Sequence, residues 1–392
     1  MPDFNKAVDP DRLTQFTRRL IQTPSLSREE EAISKVIQAE MEALGYDEVY
    51  TDELFNVVGI MKGDEPGPRL LFNGHIDHAG VGEMPDAFSG AIIDGAPYGY
   101  DREVIYGRGA SDMKAGVAAM VHAGAAARGL GFPRRGELIV TCVSREEMAQ
   151  GEGIGHLLKN GLTADFAVSG EATGLKVYLG HRGKFEMRLT TQGRTTHGGF
   201  PSGGVNAIYK MNKVLNALQQ DYELPEHPVL GPATVTVLDI NASPGALTPI
   251  VPDRCNLIVD RRFLPEETQE ELLAGFQTLL EAVKAQDPEF QATLEPLKWF
   301  PAMYTSSQEP VVQGMLKARE AVMGQAGELG NWYFGVDGTF LNQAGIPCVG
   351  FGPGNEFLAH TPGDVVPVDQ VITACQVYTA LIADLCGTKA EK

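Results

Sequence analysis

Three apolar runs in the chain each stop at a turn bearing histidine or glutamate, and this repeated arrangement constrains the fold more than any other feature. Leu70-Leu71-Phe72 leads into Gly74-His75-Ile76-Asp77, Glu137 to Val143 into Ser144-Arg145-Glu146-Glu147, and Ala164 to Ser169 into Gly170-Glu171. Short apolar runs bounded by turn residues read as buried strands. In open parallel sheets, ligands bind beyond the carboxyl ends of the strands. The pattern predicts an α/β fold with a mixed, mostly parallel sheet flanked by helices, and with His75, Glu146, Glu147 and Glu171 gathered at one edge.

Each of these residues has an ordinary explanation when taken alone. A histidine near a core strand is commonly a hydrogen-bonded core residue, and glutamates are commonly solvated. Asp112, ahead of the Ala-rich stretch from Ala115 to Arg128, reads as a helix N-cap. Convergence favours chemistry, because adjacent glutamates turned into one cleft repel each other unless a cation intervenes. His360 adds a second imidazole in the turn-rich segment Phe357 to Asp364. Two histidines with several carboxylates form the nitrogen and oxygen set that zinc, cobalt or manganese accept. The donors suffice for two ions about 3.5–4 Å apart with Asp112 bridging them. Spacing leaves open which ion each outer ligand serves. Glu146 remains over, and a carboxylate beside the ions is suited to be a general base.

A chain of 392 residues is too long for one ordinary core, which implies two domains. Past Gly183 the order is strand (Lys184–Thr191), helix (Gly204–Gln219), strands (Thr234–Ile240 and Cys255–Phe263), helix (Glu266–Ala285) and strand (Gln291–Leu297). That is the layout of a ferredoxin-like α+β domain. The expected division is residues 1–182 with 298–392 for the metal-binding domain and 183–297 for an insertion. Other helices are expected over Asp9–Gln22, after a capping-box pair Ser27 and Glu30, over Gln308–Met323 and over Val368–Leu385. Ala79 to Asp101 reads as one long functional or mobile loop, and the residues after Gly387 as a fraying end.

Formal charge is −19, with 51 acidic against 32 basic side chains, which disfavours nucleic acid and anionic membranes as partners. The five cysteines are scattered and odd in number, as reduced core residues are. With no apolar signal segment or membrane-length run, a cytoplasmic location is expected.

The motifs Gly74-His75-Ile76-Asp77, Gly107-Arg108-Gly109-Ala110-Ser111-Asp112-Met113-Lys114, Glu146-Glu147, Gly170-Glu171 and Ala359-His360-Thr361-Pro362 resemble those of a dinuclear zinc hydrolase family. This is the family of acetylornithine deacetylase, succinyl-diaminopimelate desuccinylase, aminoacylase and carboxypeptidase G. The resemblance covers nearly the whole chain and implies amide hydrolysis of an N-acyl amino acid or short peptide by a homodimer whose inserted domain is a dimerisation lid. It implies that His75, Asp112 and Glu171 hold one zinc and that Asp112, Glu147 and His360 hold the other. Asp77 then orients His75, and Glu146 is the base. In the lid, Gly193 to Gly199 resembles the family segment whose histidine, here His197, steadies the oxyanion and reaches the partner's site. Arg262 takes the place of the family's carboxylate clamp, a role for which a planar guanidinium fork is suited. Gly352 and Gly354 are expected to offer backbone N–H groups to substrate.

Two positions depart from the family pattern. Pro249, beside Thr248, stands where relatives carry Asn ahead of Pro252-Asp253, and His78 stands where an apolar residue is common. The competing readings are a dipeptidase or carboxypeptidase with the same centre, and a metal-dependent binding protein without turnover.

Overall fold

Arg135–Val143, Glu65–His75, Phe166–Ser169 and Cys348–Gly350 lie side by side and run parallel. Their central residues, including Leu70, Leu71, Phe72, Leu138, Val140 and Val168, are fully buried, as strands covered on both faces require. The register sets His75 opposite Val143 and Asn73 opposite Ser169, so the turns after these strands meet at one edge. Antiparallel strands extend the sheet on both sides. Val57–Lys62 and Glu48–Thr51 continue it past Arg135–Val143, and Val177–His181 joins Cys348–Gly350 through Gly350 and Tyr178. This is the α/β arrangement with a mixed sheet read from the sequence, although Val177–His181 was not among the expected strands.

The computed structural model describes residues 2–148, 150–220, 222–245, 249–325 and 327–387. Thr248 and the end after Gly387 lie outside the described residues. The chain divides into two units, one of residues 1–180, 304–332 and 336–392, the other of 181–303 and 333–335. The second runs beyond the expected limit of 297 because its last strand continues to Phe300, in register with Lys184.

Helices cover the sheet of the first unit. Asp9 caps Pro10–Ile21 by accepting from Arg12 N, Pro10 occupies the first turn, and Leu13, Phe16, Leu20 and Ile21 form the buried face. Ala115–Gly129 is apolar nearly all round and almost wholly buried, as a helix enclosed on every side must be. It packs against the terminal helix Val368–Leu385. The stretch Ala79–Asp101 is no plain loop. Its Ala91–Asp94 pairs with Glu103–Tyr106, which pairs in turn with Val365–Pro367. This small sheet buries Val104, Tyr106 and Val365 with Met84 and Ala87. Gly, Pro and Asp on either side of the short apolar pair Ile92-Ile93 concealed the strand.

In the second unit the sheet order is Thr234–Ser243, Arg254–Phe263, Gly183–Gln192, Gln291–Phe300, all antiparallel. Burial alternates along Gly183–Gln192, and its inner residues Phe185, Met187 and Leu189 meet Leu257, Val259 and Phe276. The helix Gln269–Gln286 opens on a true capping box, Thr268 with Glu271. Thr234–Ser243 lies at the sheet edge with Val237, Leu238 and Ile240 exposed.

Candidate metal centre

The two oxygens of Asp112 point at different histidines. Oδ1 lies 2.9 Å from His75 Nε2 and Oδ2 lies 3.1 Å from His360 Nε2. Each imidazole has a further carboxylate: Glu171 Oε1 stands 3.5 Å from His75, and Glu147 Oε2 stands 2.9 Å from His360. Two overlapping triplets, His75 with Asp112 and Glu147, and His75 with Glu146 and Glu171, bring ligand atoms within 4.8 Å of one another. The two triplets share His75, while the Asp112 carboxylate lies between the two imidazoles, a placement that spacing in the sequence left open. Glu146 is within ligand reach of His75 and Glu171.

Local structure explains how the residues arrive there. His75 ends its strand, and its N–H donates to Met113 Sδ at 3.2 Å. Asp112 is not a helix N-cap, since the helix starts at Ala115 and Asp112 keeps non-helical φ/ψ of −127° and 93°. The loop before it is held by Asp364, which accepts from Gly109 N at 2.7 Å and Ser111 N at 2.8 Å. His360 occupies the left-handed region at φ 60°, with its side chain half exposed.

The electrostatics are those of acids crowded out of water. Burial drives Glu146 and Glu171 well above the usual carboxylate range, with Asp337 and neighbouring carboxylates adding to it and His75 opposing. Burial acts the same way on Asp112, but hydrogen bonds from His360 and His75 win and hold it below its ordinary value. His360 is pushed up to about 10 by Asp112 and Glu147. Burial opposes a charged His75, yet Glu171, Asp112 and Asp77 raise it well above its ordinary value. Imidazolium is compensating the acids here, and a divalent cation meets the same demand with these donors. Hard carboxylates with imidazole, and no thiolate, fit zinc, cobalt or manganese.

A model of peptidase family M20/M25/M40 matches residues 71–384. The chain belongs to this family. The uncharacterized protein YgeY of Escherichia coli (strain K12) is 33% identical over 388 residues, 94% of this chain and 93% of its own. N-formyl-4-amino-5-aminomethyl-2-methylpyrimidine deformylase of Bacillus subtilis (strain 168) is 26% identical over 420 residues, 97% of this chain and 96% of its own. The crystal structure of aminopeptidase PepT from Bacillus cereus ATCC 10987 shares the fold, with a TM-score of 0.79 at 21% identity over 97% of this chain and 99% of that one. As an M20/M25/M40 chain, the protein is a metallohydrolase of amide or peptide bonds.

The remaining expectations for this M20/M25/M40 chain fare unevenly. Gly352 and Gly354 do not offer N–H groups, since Gly352 N donates to Thr173 Oγ1 at 3.1 Å and Gly354 N to Gln370 Oε1 at 2.9 Å. They are glycines for space: a Cβ on Gly352 would sit 2.3 Å from Gly170 O, and one on Gly354 2.4 Å from Ser111 Oγ. Arg262 in the second unit forks onto Asp260, at 2.8 Å through Nε and 3.2 Å through Nη2. His197 is exposed and accepts from Gly199 N at Nδ1, so the hydrogen of the neutral ring sits on Nε2. Pro249 accepts from Gly198 N through its main-chain oxygen. His78 is buried, accepts from Ser25 N at Nε2, and is pushed down to about 4 by burial and by Lys114, hence neutral. Sequence reasoning missed Asp364 and the buried Asp337, raised to about 7 by burial. Both lie in segments rich in Gly and turn residues, where an aspartate has many ordinary uses.

Proposed function

We propose that the chain hydrolyses the amide bond of an N-acyl amino acid at a centre of two divalent ions. The observation that carries this is the division of the Asp112 carboxylate between His75 and His360, at 2.9 and 3.1 Å, each imidazole backed by its own glutamate. His75, Asp112 and Glu171 would hold one ion, and Asp112, Glu147 and His360 the other. Such ions polarise the acyl carbonyl and acidify water. Glu146 takes the proton from the attacking water and delivers it to the amide nitrogen as the C–N bond breaks. Water supplies the new acyl C–O bond, and the products are a carboxylic acid and a free amine.

Two groups in the second unit complete the reading. His197 Nε2–H is a donor of the kind that steadies a developing oxyanion, and the family resemblance has it act on the site of a partner subunit. The exposed apolar edge strand Thr234–Ser243 supports a homodimer, since an uncovered edge of this kind invites pairing. Arg262 would clamp the substrate carboxylate by exchanging it for Asp260. The five cysteines are all buried and unpaired, which supports a cytoplasmic location. Among the described residues no helix is long and apolar enough to cross a membrane.

The test is a hydrolysis screen of N-formyl, N-acetyl and N-succinyl amino acids and dipeptides, with protein loaded in turn with zinc, cobalt and manganese. Turnover of the acyl amino acids supports the reading. Preference for dipeptides would replace it with a peptidase, and inactivity on every substrate with a binding protein.

A further inference from the structure

Residues 22–30, between the helices Pro10–Ile21 and Glu31–Ala43, supply neither a proposed ligand nor the base. Ser27 and Glu30 there have capping-box spacing, yet the helix that follows has no side-chain cap. Both side chains go elsewhere. Ser27 Oγ donates to Asp77 Oδ2 at 2.6 Å. That same carboxylate accepts the N–H of Glu146 on Oδ1 at 3.1 Å and the N–H of Glu147 on Oδ2 at 3.2 Å. Glu30, fully buried, accepts with Oε1 from Arg145 N at 3.0 Å and from Arg28 N at 2.9 Å.

Both backbone donors to Glu30 sit in the left-handed region, Arg145 at φ 62° and Arg28 at φ 78°. A non-glycine residue keeps that conformation only where its surroundings impose it. Arg145 immediately precedes Glu146 and Glu147, so the direction of the chain at Arg145 decides where both glutamates point. The segment is fastened to the strand end as well. Ser25 N donates to His78 Nε2 at 2.9 Å, His78 N to Ser25 O at 3.1 Å, and Ser25 Oγ to Ile76 O at 2.7 Å.

Glu30 is an expensive way to hold a loop. Its Oε2 has no hydrogen-bond partner, and an unsatisfied buried polar atom is destabilising. Burial accordingly raises its pKa. A chain selected only for stability gains little from such a group, whereas one that must aim two adjacent glutamates gains a fixed acceptor.

We propose that Ser27 and Glu30 are positioning residues of the metal centre. Ser27 holds the Asp77 carboxylate where it can accept both glutamate amides, and Glu30 locks the turn at Arg145. The proposal rests on the reading of Glu146 as base and Glu147 as ligand. It adds that their mutual placement is set by a loop that acts through Asp77 and the turn at Arg145.

The experiment compares Ser27→Ala, Ser27→Thr, Glu30→Ala and Glu30→Gln in the full-length protein. Hydrogen exchange of the amides over residues 143–148 is measured without metal, the visible spectrum and affinity with Co²⁺, and kcat and KM on the substrate found by the screen. Ser27→Ala and Glu30→Ala are expected to speed exchange in that peptide about tenfold or more, shift the Co²⁺ bands, and lower kcat about 10–100-fold with KM little changed. Ser27→Thr and Glu30→Gln keep the donor and the acceptor and are expected to restore all three. Wild-type exchange, spectrum and kcat in Ser27→Ala would overturn the proposal, as would a fall in thermal midpoint with those readouts unmoved. Ser27 is only partly buried, so its pair of variants decides the matter even if Glu30→Ala fails to fold. Should the wild type bind no Co²⁺ or cleave no substrate, the hydrolase reading fails by itself, and the exchange of residues 143–148 still judges the brace.

Discussion

His75 turns Nδ1 to the main-chain oxygen of Asp77 at 3.0 Å, while the Asp77 carboxylate stands 3.5 Å away. A carbonyl can only accept, so Nδ1 carries a hydrogen, and Nε2, which faces Asp112 and Glu171, is the nitrogen that would serve as a ligand once its own proton is lost. Asp77 orients the histidine chiefly through its backbone. Its carboxylate is left to gather Ser27 and the amides of Glu146 and Glu147.

Glu146→Gln is expected to bind both ions and lose turnover by about 10²–10⁴, the usual contribution of a general base. Metal analysis beside kinetics decides between roles, because Glu146 is also within ligand reach. Loss of one ion would make it a ligand instead.

Arg262→Ala should raise KM or lower kcat/KM far more for substrates with a free α-carboxylate than for their amides. The guanidinium is already forked on Asp260, so the substrate carboxylate has to compete with it. Equal losses on acid and amide would leave Arg262 as the structural partner of Asp260.

If His197 serves the partner's site, chains carrying Glu146→Gln and chains carrying His197→Ala complement each other. In a mixed dimer isolated by two tags, one site then holds both lesions and the other none, and about half of wild-type activity returns by symmetry. An inactive mixed dimer would place His197 in its own subunit's chemistry or outside chemistry altogether.

Glu40 is held down to about 2 by His122, Arg19 and Arg12 against its burial. Arg12 Nε contacts it at 2.9 Å, and His122 Nε2 approaches to 3.3 Å without the alignment of a good hydrogen bond. A depressed carboxylate stabilises the fold above its unfolded value of 4.5 and loses that contribution as pH falls toward about 2. Metal-free wild type should therefore exceed Glu40→Gln in stability by on the order of 1.5–3 kcal/mol at pH above 5, with the gap closing in acid. Urea denaturation of both proteins across that range is the check, and parallel pH profiles would refute the assignment.

Gly116 sets local propensity against packing. Alanine would favour the helix by about 1 kcal/mol, but its Cβ would lie 2.1 Å from Gly170 O, a backbone atom that cannot rotate away. Overpacking of this kind costs about 1–3 kcal/mol, so Gly116→Ala should destabilise the protein and, through Gly170, weaken metal binding at Glu171. Gly155, with nothing within 4 Å of a Cβ, is the control and should tolerate alanine or gain from it. A Gly116→Ala protein as stable as the wild type would show that the helix can shift.

The sequence by itself determined the strands that end at His75, Val143 and Ser169, because apolar runs too short for a helix and bounded by turn residues are best buried as strands in a sheet. It also determined that several ligand-type side chains sit at the ends of those strands. Which imidazole faces which oxygen of Asp112 was decided only in three dimensions, because it depends on the parallel register and on a turn near His360 that is distant in the chain. The Ser27 and Glu30 pair shows the same limit. Its spacing suits a helix cap, and local spacing cannot report that Asp77 and Arg145, brought close by the sheet, are better partners for the two side chains. Gly352 and Gly354 differ in the same way, since a backbone N–H is open to substrate only if folding has not already supplied an acceptor, and here Thr173 and Gln370 supply one each.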